Sequence, residues 1–521
     1  MKKIILLFSF LCFFSVSNAR NQIRMYVWAD KVNVRDKPEM SAKAVFLLNE
    51  GDTVILTGEK SGKRFKAFLR GSEYDDFFYE ITTSDGRKGW IYGAALTEYP
   101  LIGTGFKFKW KYKIGLTTFR SSIKYFKKNI YAGSNGSKRD SLNDPADGVY
   151  ILDSVSGKLK KHISGKSPAD TDVNGIAVSE FGIYFGSDDS KIFCYTTDGN
   201  RKIWEFKADG DIEGCPVLTD LDSDGVRDVV AASENNTVFA LNGKNGRIIW
   251  IYHDNIVSEY EAFGFIASPA CVDLNFDGTD DIIIGSRNNI FYALDGGTGQ
   301  ILWSSVPAGV SLTSDESESE ENGRFAGFPV YSGIHASAFI TGKKIIFAES
   351  YSVIHFLAFD GTETDSIELE NQTFGIEGLF SSPVMYNEKV FIGSSWWGDD
   401  DNVWAAGNGI RNYITAGRVS STCVIADVLG NGSMQVLFAT ERGELLILNS
   451  DGVLISRFKL PGGVEATPLV EDVDGDGRLE ILIACLDGSL YCYETESSGK
   501  VYYGQFRGNN FNTGRVDGIK K

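Results

Sequence analysis

The sequence predicts an all-β protein in which a small N-terminal β-barrel precedes a β-propeller of eight blades, with seven as the alternative. Two observations predict this fold. Short apolar stretches are separated by turns rich in Gly, Asn and Asp, and 57 Gly against 11 Pro suit many tight turns. From about residue 105 to the end, one pattern recurs at roughly 40 to 70 residues, as in architectures built from repeated units.

Each repeat contains the parts of four strands. A small residue before Pro opens the first strand, the second strand ends in Gly or Ala, a turn leads into the third, and several fourth strands carry Trp. Four antiparallel strands per unit are typical of a propeller blade. The second and third strands are clearest in VVAASENNTVFALNG, IIIGSRNNIFYALDG, VLFATERGELLILNS and ILIACLDGSLYCYET. Eight units begin near Trp110, Ser164, Asp211, Val257, Arg324, Phe374, Val419 and Val464.

Ring closure can also be predicted from the repeats. The strand around Trp110 precedes the first complete unit, and an edge strand left unpaired invites aggregation. We therefore expect this strand to pair with the last blade.

Three segments follow from this pattern: a signal peptide at 1–19, the barrel at 22–98 and the propeller at 105–521. Lys2 and Lys3, an apolar run from residue 4 to 16, and Ser-Asn-Ala at 17–19 predict a cleaved export signal. Lipidation of Cys12 is the alternative. No other stretch is long and apolar enough to span a membrane.

The charge balance limits the partners. The chain carries a formal charge of −17, and loss of Lys2 and Lys3 with the signal would leave −19. Such an excess of acidic groups repels nucleic acid and anionic lipid. The six cysteines beyond the signal lack paired metal-ligand spacing, and repeat alignment predicts small buried residues, with pairing of Cys485 and Cys492 left open.

Residues 22–98 contain short alternating strands separated by Gly, Asp and Pro turns. The segment resembles the bacterial Src-homology-three-like domain. The residues that carry the resemblance are Val32-Asn33-Val34-Arg35, Pro38, Leu48, Gly51-Asp52, Val54 and Gly89-Trp90-Ile91. The resemblance implies either binding of cell-wall peptides or a spacer that positions the attached propeller.

Three stretches of the propeller region have nearly the same acidic sequence: DLDSDGVRD (220–228), DLNFDGTDD (273–281) and DVDGDGRLE (472–480). Oxygen-bearing side chains at positions 1, 3, 5 and 9, with Gly at position 6 for a sharp turn, suit calcium. An EF-hand would have Glu at position 12, where this chain has Ala231, Ile284 and Ile483. The sequence therefore predicts calcium loops between β-strands.

The propeller region resembles two families. The endings GRIIW and GQILW and the final GQFRGNNFNTG are similar to propellers of quinoprotein dehydrogenases and of outer-membrane assembly scaffolds. The acidic loops resemble those of FG-GAP blades in integrin-type propellers, where they join the first and second strands. That resemblance implies about three structural calcium sites, with position 7 supplying a backbone carbonyl. The implied ligands are Asp220, Asp222, Asp224, Val226 and Asp228; Asp273, Asn275, Asp277, Thr279 and Asp281; and Asp472, Asp474, Asp476, Arg478 and Glu480.

The alternative is that Asp, Asn and Gly only form turns. Clustered carboxylates repel one another without a cation, which favours calcium. Its expected role is to cross-link the loop and stabilise the fold by mass action. A fourth copy, 427–435, has Leu429 at a ligand position, and we expect it to have lost its metal.

Propellers usually bind ligands at the mouth of the central channel, where each first strand begins. The aligned strand-opening positions are Arg120, Asn174, Glu213, Ile266, His335, Phe380, Ser420 and Glu465. Arg120, Glu213, His335 and Glu465 are candidate contacts for a polar ligand; ordinary solvated channel residues are the alternative.

Two insertions lie beside this ring. The acidic run at 311–321 reads as a solvated loop. Trp396 and Trp397 could stack on a sugar or a partner, with packing against a neighbouring blade as the alternative.

No catalytic pattern accompanies these features. The four His show no metal or triad spacing, no Gly-rich phosphate loop follows a strand, and the adjacent cysteine pair of many quinoproteins is missing. The sequence therefore predicts an exported, non-enzymatic protein, periplasmic, outer-membrane-associated or extracellular, that binds an envelope protein or glycan, with peptidoglycan as a further partner. The alternatives are a purely structural envelope-assembly scaffold and a quinoprotein-like oxidoreductase.

Overall fold

The computed structural model describes residues 23–27, 31–49, 51–69, 72–97, 106–138, 142, 144–164, 170–255, 264–306, 333–349, 353–369, 380–394, 402–407, 410–415 and 417–516. The chain divides into two compact units, Met1–Leu69 with Glu73–Leu101 and Arg70–Ser72 with Ile102–Lys521. Apart from the 3-10 helix Gly93–Ala95, every regular element among the described residues is a strand. The all-β class is thus confirmed. The signal peptide predicted at 1–19 lies outside the described residues.

The first nine strands form a seven-stranded antiparallel sheet and a separate hairpin. The sheet order is β3-β2-β8-β7-β4-β1-β9, and β5 pairs with β6. The strands are β1 (Arg24–Val27), β2 (Val32–Arg35), β3 (Ala44–Leu48), β4 (Thr53–Lys60), β5 (Phe65–Leu69), β6 (Ser72–Asp76), β7 (Phe78–Thr83), β8 (Lys88–Tyr92) and β9 (Leu96–Thr97).

The core of this sheet follows from alternation along β2 and β8. Val34 and Ile91 are fully buried, whereas Trp90 is half-buried. A Cβ at Gly89 would lie 2.6 Å from the Val34 side chain and 2.9 Å from the Arg35 carbonyl oxygen, so only glycine fits this crossing. Glycine before Trp90 is therefore required by packing.

The remaining strands form eight separate antiparallel sheets, which we number 1 to 8. Sheets 1 to 6 each consist of four consecutive strands, sheet 7 has a fifth strand from the C-terminal end, and sheet 8 takes its fourth strand from the start of the region. Sheet 8 contains β10 (Lys107–Lys113); sheet 1 contains β11 (Ile123–Phe126), β12 (Asn129–Ser134), β13 (Gly148–Asp153) and β14 (Leu159–Ile163); sheet 2 contains β15 (Ile176–Val178), β16 (Ile183–Ser187), β17 (Lys191–Tyr195) and β18 (Lys202–Lys207); sheet 3 contains β19 (Val217–Thr219), β20 (Asp228–Ala232), β21 (Thr237–Leu241) and β22 (Ile248–His253).

The other four sheets follow the same scheme. Sheet 4 contains β23 (Ala270–Val272), β24 (Asp281–Gly285), β25 (Phe291–Leu294) and β26 (Ile301–Ser305); sheet 5 contains β27 (Phe339–Ile340), β28 (Ile345–Ala348), β29 (Val353–Leu357) and β30 (Glu363–Glu368); sheet 6 contains β31 (Val384–Tyr386), β32 (Lys389–Gly393), β33 (Asn402–Gly407) and β34 (Ile410–Thr415); sheet 7 contains β35 (Val424–Ala426), β36 (Gln435–Ala439), β37 (Glu444–Asn449), β38 (Leu454–Lys459) and β42 (Val501–Tyr503); sheet 8 is completed by β39 (Leu469–Glu471), β40 (Glu480–Cys485) and β41 (Ser489–Glu494).

Neighbouring sheets pack face to face. The second strands read as continuous apolar runs and are buried throughout, as in DVVAA of β20 and DIIIG of β24, because both faces are covered. Single hydrophobic clusters combine residues of sheets 1 and 2, 2 and 3, 3 and 4, 4 and 5, 7 and 8, and 8 and 1. The contact of sheet 8 with sheet 1 joins the last sheet to the first, as in a propeller.

Ring closure occurs as predicted. β10 pairs antiparallel with β41, so the strand around Trp110 becomes the fourth strand of the last sheet. A β-bulge interrupts the third-to-fourth strand ladder in sheets 1, 2, 3, 4, 5, 7 and 8. The extra residue of each bulge lies in the fourth strand; in sheets 3, 4 and 8 it is Ile249, Leu302 and Lys109.

A tryptophan after the bulge joins each of several sheets to the next. Its indole Nε1 donates to a carbonyl in the turn between the third and fourth strands of the following sheet, and its ring packs on a glycine of that turn. A Cβ at those glycines would lie 2.4 to 2.8 Å from the ring, and each has positive φ, so glycine is required twice over. The pairs are Trp110 with Gly157, Trp204 with Gly246, Trp250 with Gly299, and Trp303 with Gly361.

The C-terminal segment, residues 501–516, runs along the first strands of the sheets, which contact one another at the centre. β42 pairs with β35 of sheet 7, and Tyr502 Oη donates to the Met385 carbonyl of sheet 6 at 3.2 Å. Carbonyls of the segment accept backbone N–H groups from the first strands of sheets 2, 3, 4, 5 and 8. The donors are Val178, Leu218, Cys271, Ile340 and Val470.

Buried polar side chains complete this central packing. Lys124 of sheet 1 is fully buried, and its Nζ donates to the carbonyls of Phe506 and Asn509 at 2.8 and 3.0 Å. Arg507 is 1 % exposed and donates to carbonyls that precede β23 and β27, at 3.0 and 2.6 Å. Asn512 likewise donates to carbonyls of sheets 2 and 3. The segment therefore contacts the first strand, or the residue just before it, in all eight sheets.

Candidate functional site

The acidic loops lie where the repeat pattern predicts them. Loops 220–228, 273–281 and 472–480 each connect the first strand of a sheet to its second strand, in sheets 3, 4 and 8. The position-9 residue is the first residue of the second strand. The ladder therefore fixes one end of each loop.

Loop 220–228 orients its carboxylates through backbone hydrogen bonds. Asp220 accepts two N–H groups of the loop at 3.2 and 3.1 Å. Asp228 is fully buried and accepts N–H groups at 2.8 and 2.9 Å. One carboxylate oxygen each from Asp220, Asp222 and Asp228 lie within 4.8 Å of one another. This donor set fits a hard cation.

The position-5 carboxylate of the same loop has other partners. Asp224 pairs with Lys244 Nζ at 2.9 Å and accepts a hydrogen bond from Asn242 at 3.3 Å. Its remaining oxygen accepts the N–H of Val226 at 2.8 Å. Of the four predicted side-chain ligands, the structure thus groups those at positions 1, 3 and 9.

Loop 273–281 repeats this arrangement with an amide at position 3. Asp273 accepts two loop N–H groups at 3.1 and 3.2 Å, and buried Asp281 accepts N–H groups at 2.8 and 2.9 Å. The amide oxygen of Asn275 accepts the N–H of Asp277 at 2.9 Å, and its Nδ2 donates to that carboxylate at 3.0 Å. Thr279 donates its N–H to Asp277 at 2.8 Å. The backbone hydrogen bonds to positions 1, 3 and 9 thus match those of the first loop.

Loop 472–480 has the same backbone scheme but a different electrostatic partner. Asp472 accepts loop N–H groups at 2.7 and 3.0 Å. Asp472, Asp474 and Glu480 again bring one oxygen each within 4.8 Å of one another. Lys109 Nζ, from the bulge of β10, lies 2.5 Å from Asp474 and 3.1 Å from Glu480.

Two further groups extend this charge network. Lys109 Nζ also lies 3.1 Å from Glu494, which in turn pairs with Arg478 at 3.1 Å. The pKa of Lys109 is raised: burial lowers it, but hydrogen bonds to the three carboxylates outweigh burial. Lys109 therefore stays charged at any physiological pH.

Loop 427–435 keeps the backbone hydrogen bonds of the other loops but has an amide at position 9. Asp427 accepts loop N–H groups at 3.1 and 2.9 Å, as the position-1 residue does elsewhere. Gln435 replaces the position-9 carboxylate, and its Nε2 donates to the Asn431 amide oxygen at 3.1 Å and to the Ser433 carbonyl at 2.6 Å. Those oxygens belong to positions 5 and 7. An amide nitrogen thus bonds two oxygens that would otherwise face a cation.

Burial makes the position-9 carboxyl groups weaker acids than usual. It raises the pKa of Asp228 and Asp281 to about 6 and that of Glu480 to about 7, although hydrogen bonds from backbone N–H groups act in the opposite direction. A cation beside these groups would favour their charged form. The buried carboxylates therefore fit a bound cation.

At the opposite end of the first strands, three predicted ring residues come together. Arg120 Nη1 lies 2.8 Å from Glu213 Oε2, and Asn174 Nδ2 donates to the same oxygen at 2.8 Å. His335 meets Phe380 edge-on, with ring centroids 5.1 Å apart, and Phe380 lies 4.9 Å from Phe119. These contacts link sheets 1, 2 and 3 and, separately, sheets 5, 6 and 1.

The other ring positions are mostly covered. Ser420 donates to Glu441 at 2.7 Å, Ile266 is buried, and Glu465 is 9 % exposed.

Sequence reasoning missed Asp188 beside this ring. Burial raises its pKa well above the usual range, and the neighbouring charges of Glu213 and Asp172 raise it further, while Arg120 opposes them. The repeat alignment could have identified it, because Asp188 follows the second strand at the position of Glu234 and Arg287. The pKa of Glu234 is raised for the same reason, burial beside Glu213.

A further group of carboxylates lies between sheets 1 and 2. Asp147, Asp170 and Asp172 bring one oxygen each within 4.8 Å of one another. Asp147 is fully buried and accepts a hydrogen bond from Thr171 at 3.0 Å, and Asn135 donates to Asp172 at 3.1 Å. No repeat of sequence marks this group.

The cysteines are small buried residues, as predicted. Cys485 pairs in register with Ser489, and Cys492 with Leu482, so these two cysteines do not form a disulfide. All six described cysteines are buried free thiols: Cys194, Cys215, Cys271, Cys423, Cys485 and Cys492.

Trp396, Trp397 and the acidic run 311–321 lie outside the described residues. Among the residues that are described, no helix has both the length and the apolar character required to cross a membrane.

The fold and its loops define the class of protein as a β-propeller preceded by a small β-domain. A family model for outer membrane protein assembly factor BamB matches residues 146–408, and one for the bacterial SH3 domain matches residues 30–97. Because the first match spans half of the chain, the chain belongs to the BamB-type propeller family. No curated protein sequence matches it.

Solved structures share the propeller fold at low identity. BamB from Moraxella catarrhalis is 14% identical with a TM-score of 0.53, and the match covers 75% of this chain and 99% of that chain. Quinohemoprotein alcohol dehydrogenases from Pseudomonas putida HK5 and Comamonas testosteroni are 13% and 12% identical, each with a TM-score of 0.53. In both cases the match covers 77% of this chain and 79% of the other chain. At these identities the likeness shows the fold alone.

Proposed function

We propose that this protein is an exported, non-enzymatic scaffold of the bacterial cell envelope whose propeller binds a partner protein. Membership in the BamB-type family supports a periplasmic or outer-membrane-associated location and a role in assembly. The observation that carries the proposal is the course of the C-terminal segment along the centre of the propeller.

That segment changes which surface can bind. Residues 501–516 contact the first strands of all eight sheets, with Lys124, Arg507 and Asn512 buried against it. The segment thus lies beside the first strands at the centre, where a cofactor or small substrate would otherwise bind. A partner is then expected on the outer surface.

The fourth strands of sheets 3 and 4 offer such a surface. Ile248 and Ile251 on β22 and Ile301 on β26 are 47 to 51 % exposed, and Leu302 beside them is 37 % exposed. Both strands are at the outer edges of their sheets. Exposed apolar side chains on an edge strand suit an extended segment of another protein, which can add as a further strand.

A crosslinking pull-down from the native envelope tests this surface. We expect the double variant Ile251→Lys, Ile301→Lys to capture about tenfold less of the partner than the wild type does. That factor corresponds to a loss of about 1.4 kcal/mol in binding free energy. Leu159→Lys is the matched control, because Leu159 is 41 % exposed on the fourth strand of sheet 1. Equal capture by the double variant and the wild type would exclude this surface.

We also propose that calcium stabilises the propeller through the acidic loops. The oxygen donors of loops 220–228 and 273–281 support this role. Bound calcium would offset repulsion among the carboxylates and hold the first strand to the second. Excess chelator should lower the melting temperature, and an unchanged melt together with no calcium in the purified protein would refute the proposal.

For the N-terminal domain we propose cell-wall binding, on the family match at 30–97. Sedimentation of the full chain with purified peptidoglycan tests this. Retention of the chain in the supernatant would leave the domain as a spacer.

The second candidate function is that of a quinoprotein-like oxidoreductase. Two similar structures are quinohemoprotein alcohol dehydrogenases, which favours this alternative. An absorbance scan of the protein purified from its native host tests it, because a bound quinone absorbs at wavelengths where the polypeptide does not.

A further inference from the structure

The three acidic loops differ in the bulge residue of the fourth strand of their sheet, which for loop 472–480 comes from 365 residues away in the sequence. The bulge of the fourth strand presents Ile249 in sheet 3, Leu302 in sheet 4 and Lys109 in sheet 8. Each of these residues directly precedes a tryptophan that recurs at the same place in the repeats; the tryptophans are Trp250, Trp303 and Trp110. A bulge turns an extra side chain out of the regular alternation, so this position can direct a residue toward the adjacent loop.

In sheet 8 that residue brings a positive charge into the loop. Lys109 Nζ lies 2.5 Å from Asp474 and 3.1 Å from Glu480, the position-3 and position-9 residues. Lys109 is 19 % exposed at its side chain and Glu480 is fully buried, so solvent screens this contact little. In sheet 3 the equivalent Ile249 packs against the hydrophobic cluster instead.

Sheet 8 also has a third carboxylate for the ammonium group. Glu494 ends β41 and lies 3.1 Å from Lys109 Nζ, whereas the equivalent residue of sheet 3 is the amide Asn242. Three carboxylates thus surround one lysine.

The chain contains an independent example of a nitrogen in this position. In loop 427–435 of sheet 7, Gln435 Nε2 donates to the oxygens of positions 5 and 7 at 3.1 and 2.6 Å. The backbone of that loop keeps the same hydrogen bonds to its position-1 aspartate. A nitrogen donor from the protein can therefore hydrogen-bond to loop oxygens that would otherwise face a cation.

We propose that the ammonium group of Lys109 takes the place of calcium in loop 472–480, so that the chain binds two calcium ions and not three. This inference rests on the proposal that loops 220–228 and 273–281 bind calcium. An ammonium group hydrogen-bonded to positions 3 and 9 and a calcium ion bound by the same oxygens would repel each other at close range. Calcium would have to displace a charged lysine from its carboxylates.

The bulge position is then a specificity determinant. An apolar residue leaves the carboxylates to a divalent cation, and a lysine offsets part of their negative charge with a group that chelators cannot remove. The contact between β10 and the rest of sheet 8, which closes the ring, would then not depend on the calcium concentration.

Exchange of the bulge residues tests the proposal. Calcium per chain is measured by atomic emission after dialysis into buffer with micromolar calcium, for the wild type, Lys109→Ile and Ile249→Lys. We expect two ions for the wild type, three for Lys109→Ile, and one for Ile249→Lys. Lys109→Arg is the matched control and should keep two, because a guanidinium group also remains charged.

A second measurement covers the case in which a variant is unstable. In Lys109→Ile the three carboxylates Asp474, Glu480 and Glu494 lose their lysine, so chelator should lower its melting temperature more than that of the wild type. Terbium luminescence should rise in the same variant by about half, from two sites to three.

Each outcome distinguishes the two proposals. Three ions in the wild type, or two in both the wild type and Lys109→Ile, would overturn the role of Lys109 while leaving calcium in the other loops. No ion in the wild type but one in Lys109→Ile would support the role of Lys109 and refute calcium in loops 220–228 and 273–281. No ion in any variant would refute both.

Discussion

The two ends of the propeller region are tied down in different ways. β10 joins sheet 8 as its outermost strand and contacts sheet 1 through Trp110. The C-terminal segment, residues 501–516, instead lies at the centre and contacts the first strands of all eight sheets. One end closes a joint between two neighbours, and the other connects every sheet.

This difference separates local from shared stability. The joint at Trp110 has the same form as those at Trp204, Trp250 and Trp303, with an indole hydrogen bond and a glycine contact. Loss of one such joint removes one interaction between two sheets. Loss of the central segment removes interactions from every sheet at once, as expected of an element that makes unfolding cooperative.

Removal of the central segment should have the largest effect. A chain ending at Tyr503 loses all five backbone hydrogen bonds from the first strands of sheets 2, 3, 4, 5 and 8, together with the two from Lys124. At about 1 kcal/mol net for each hydrogen bond, the free energy of unfolding should fall by roughly 7 kcal/mol. Denaturation in urea measures it, with removal of residues 517–521 as the control. A truncated chain as stable as the wild type would show that the centre does not unite the sheets.

A single buried side chain should account for a good part of that loss. Arg507→Met leaves the carbonyls of Pro269 and Ala338 without their donor in a buried site, at a cost of about 3 kcal/mol. Arg515→Met is the control, because its ion pair with Asp280 is one-third exposed and should contribute below about 1 kcal/mol. Similar losses in the two variants would contradict the central role of Arg507.

At the outer joint a smaller effect is expected. Trp110→Phe removes the indole hydrogen bond to the Ser154 carbonyl but keeps most of the apolar ring, so about 1 kcal/mol should be lost. Trp204→Phe should cost the same, because it removes the equivalent indole hydrogen bond, which Trp204 donates to the Gly243 carbonyl. A much larger cost at Trp110, measured by urea denaturation, would mean that ring closure and not the local joint is being lost.

An effect on the pH dependence of stability should come from the strand-opening end, where Asp188 has a raised pKa because of burial and the charges of Glu213 and Asp172. The folded protein holds this proton at pH values where the unfolded chain, with a pKa near 3.9, has released it. Stability from Asp188 is therefore complete below about pH 4 and decreases as the pH rises from there toward the folded pKa.

Asp188→Asn should reduce this decrease. Melting temperature against pH from 4 to 8 measures it, and exposed Asp365→Asn on β30 is the control. An unchanged slope in Asp188→Asn would show that another group carries the pH dependence.

Much of the fold could be predicted because it is local. The apolar runs of β20 and β24, the turns after them and the acidic loops between first and second strands all lie within a few tens of residues. The pairing of the Trp110 strand with the last sheet could be predicted as well, because the last sheet would otherwise lack its fourth strand and have an unpaired edge. The strand-opening residues precede the first strands of their sheets, but their partners could not be foreseen from the sequence: Arg120 before sheet 1 pairs with Glu213 before sheet 3.

The sequence alone determined the all-β class, the repeat of four strands and the oxygen donors of three nearly identical loops. These properties depend on hydrogen-bonding and apolar patterns between near neighbours in the chain. The tertiary structure decided which loop meets Lys109, 365 residues from Asp474, and where residues 501–516 lie. Such contacts depend on closure of the ring and on bulges that redirect single side chains. The sequence of a loop therefore does not indicate which distant charged residue will lie beside it.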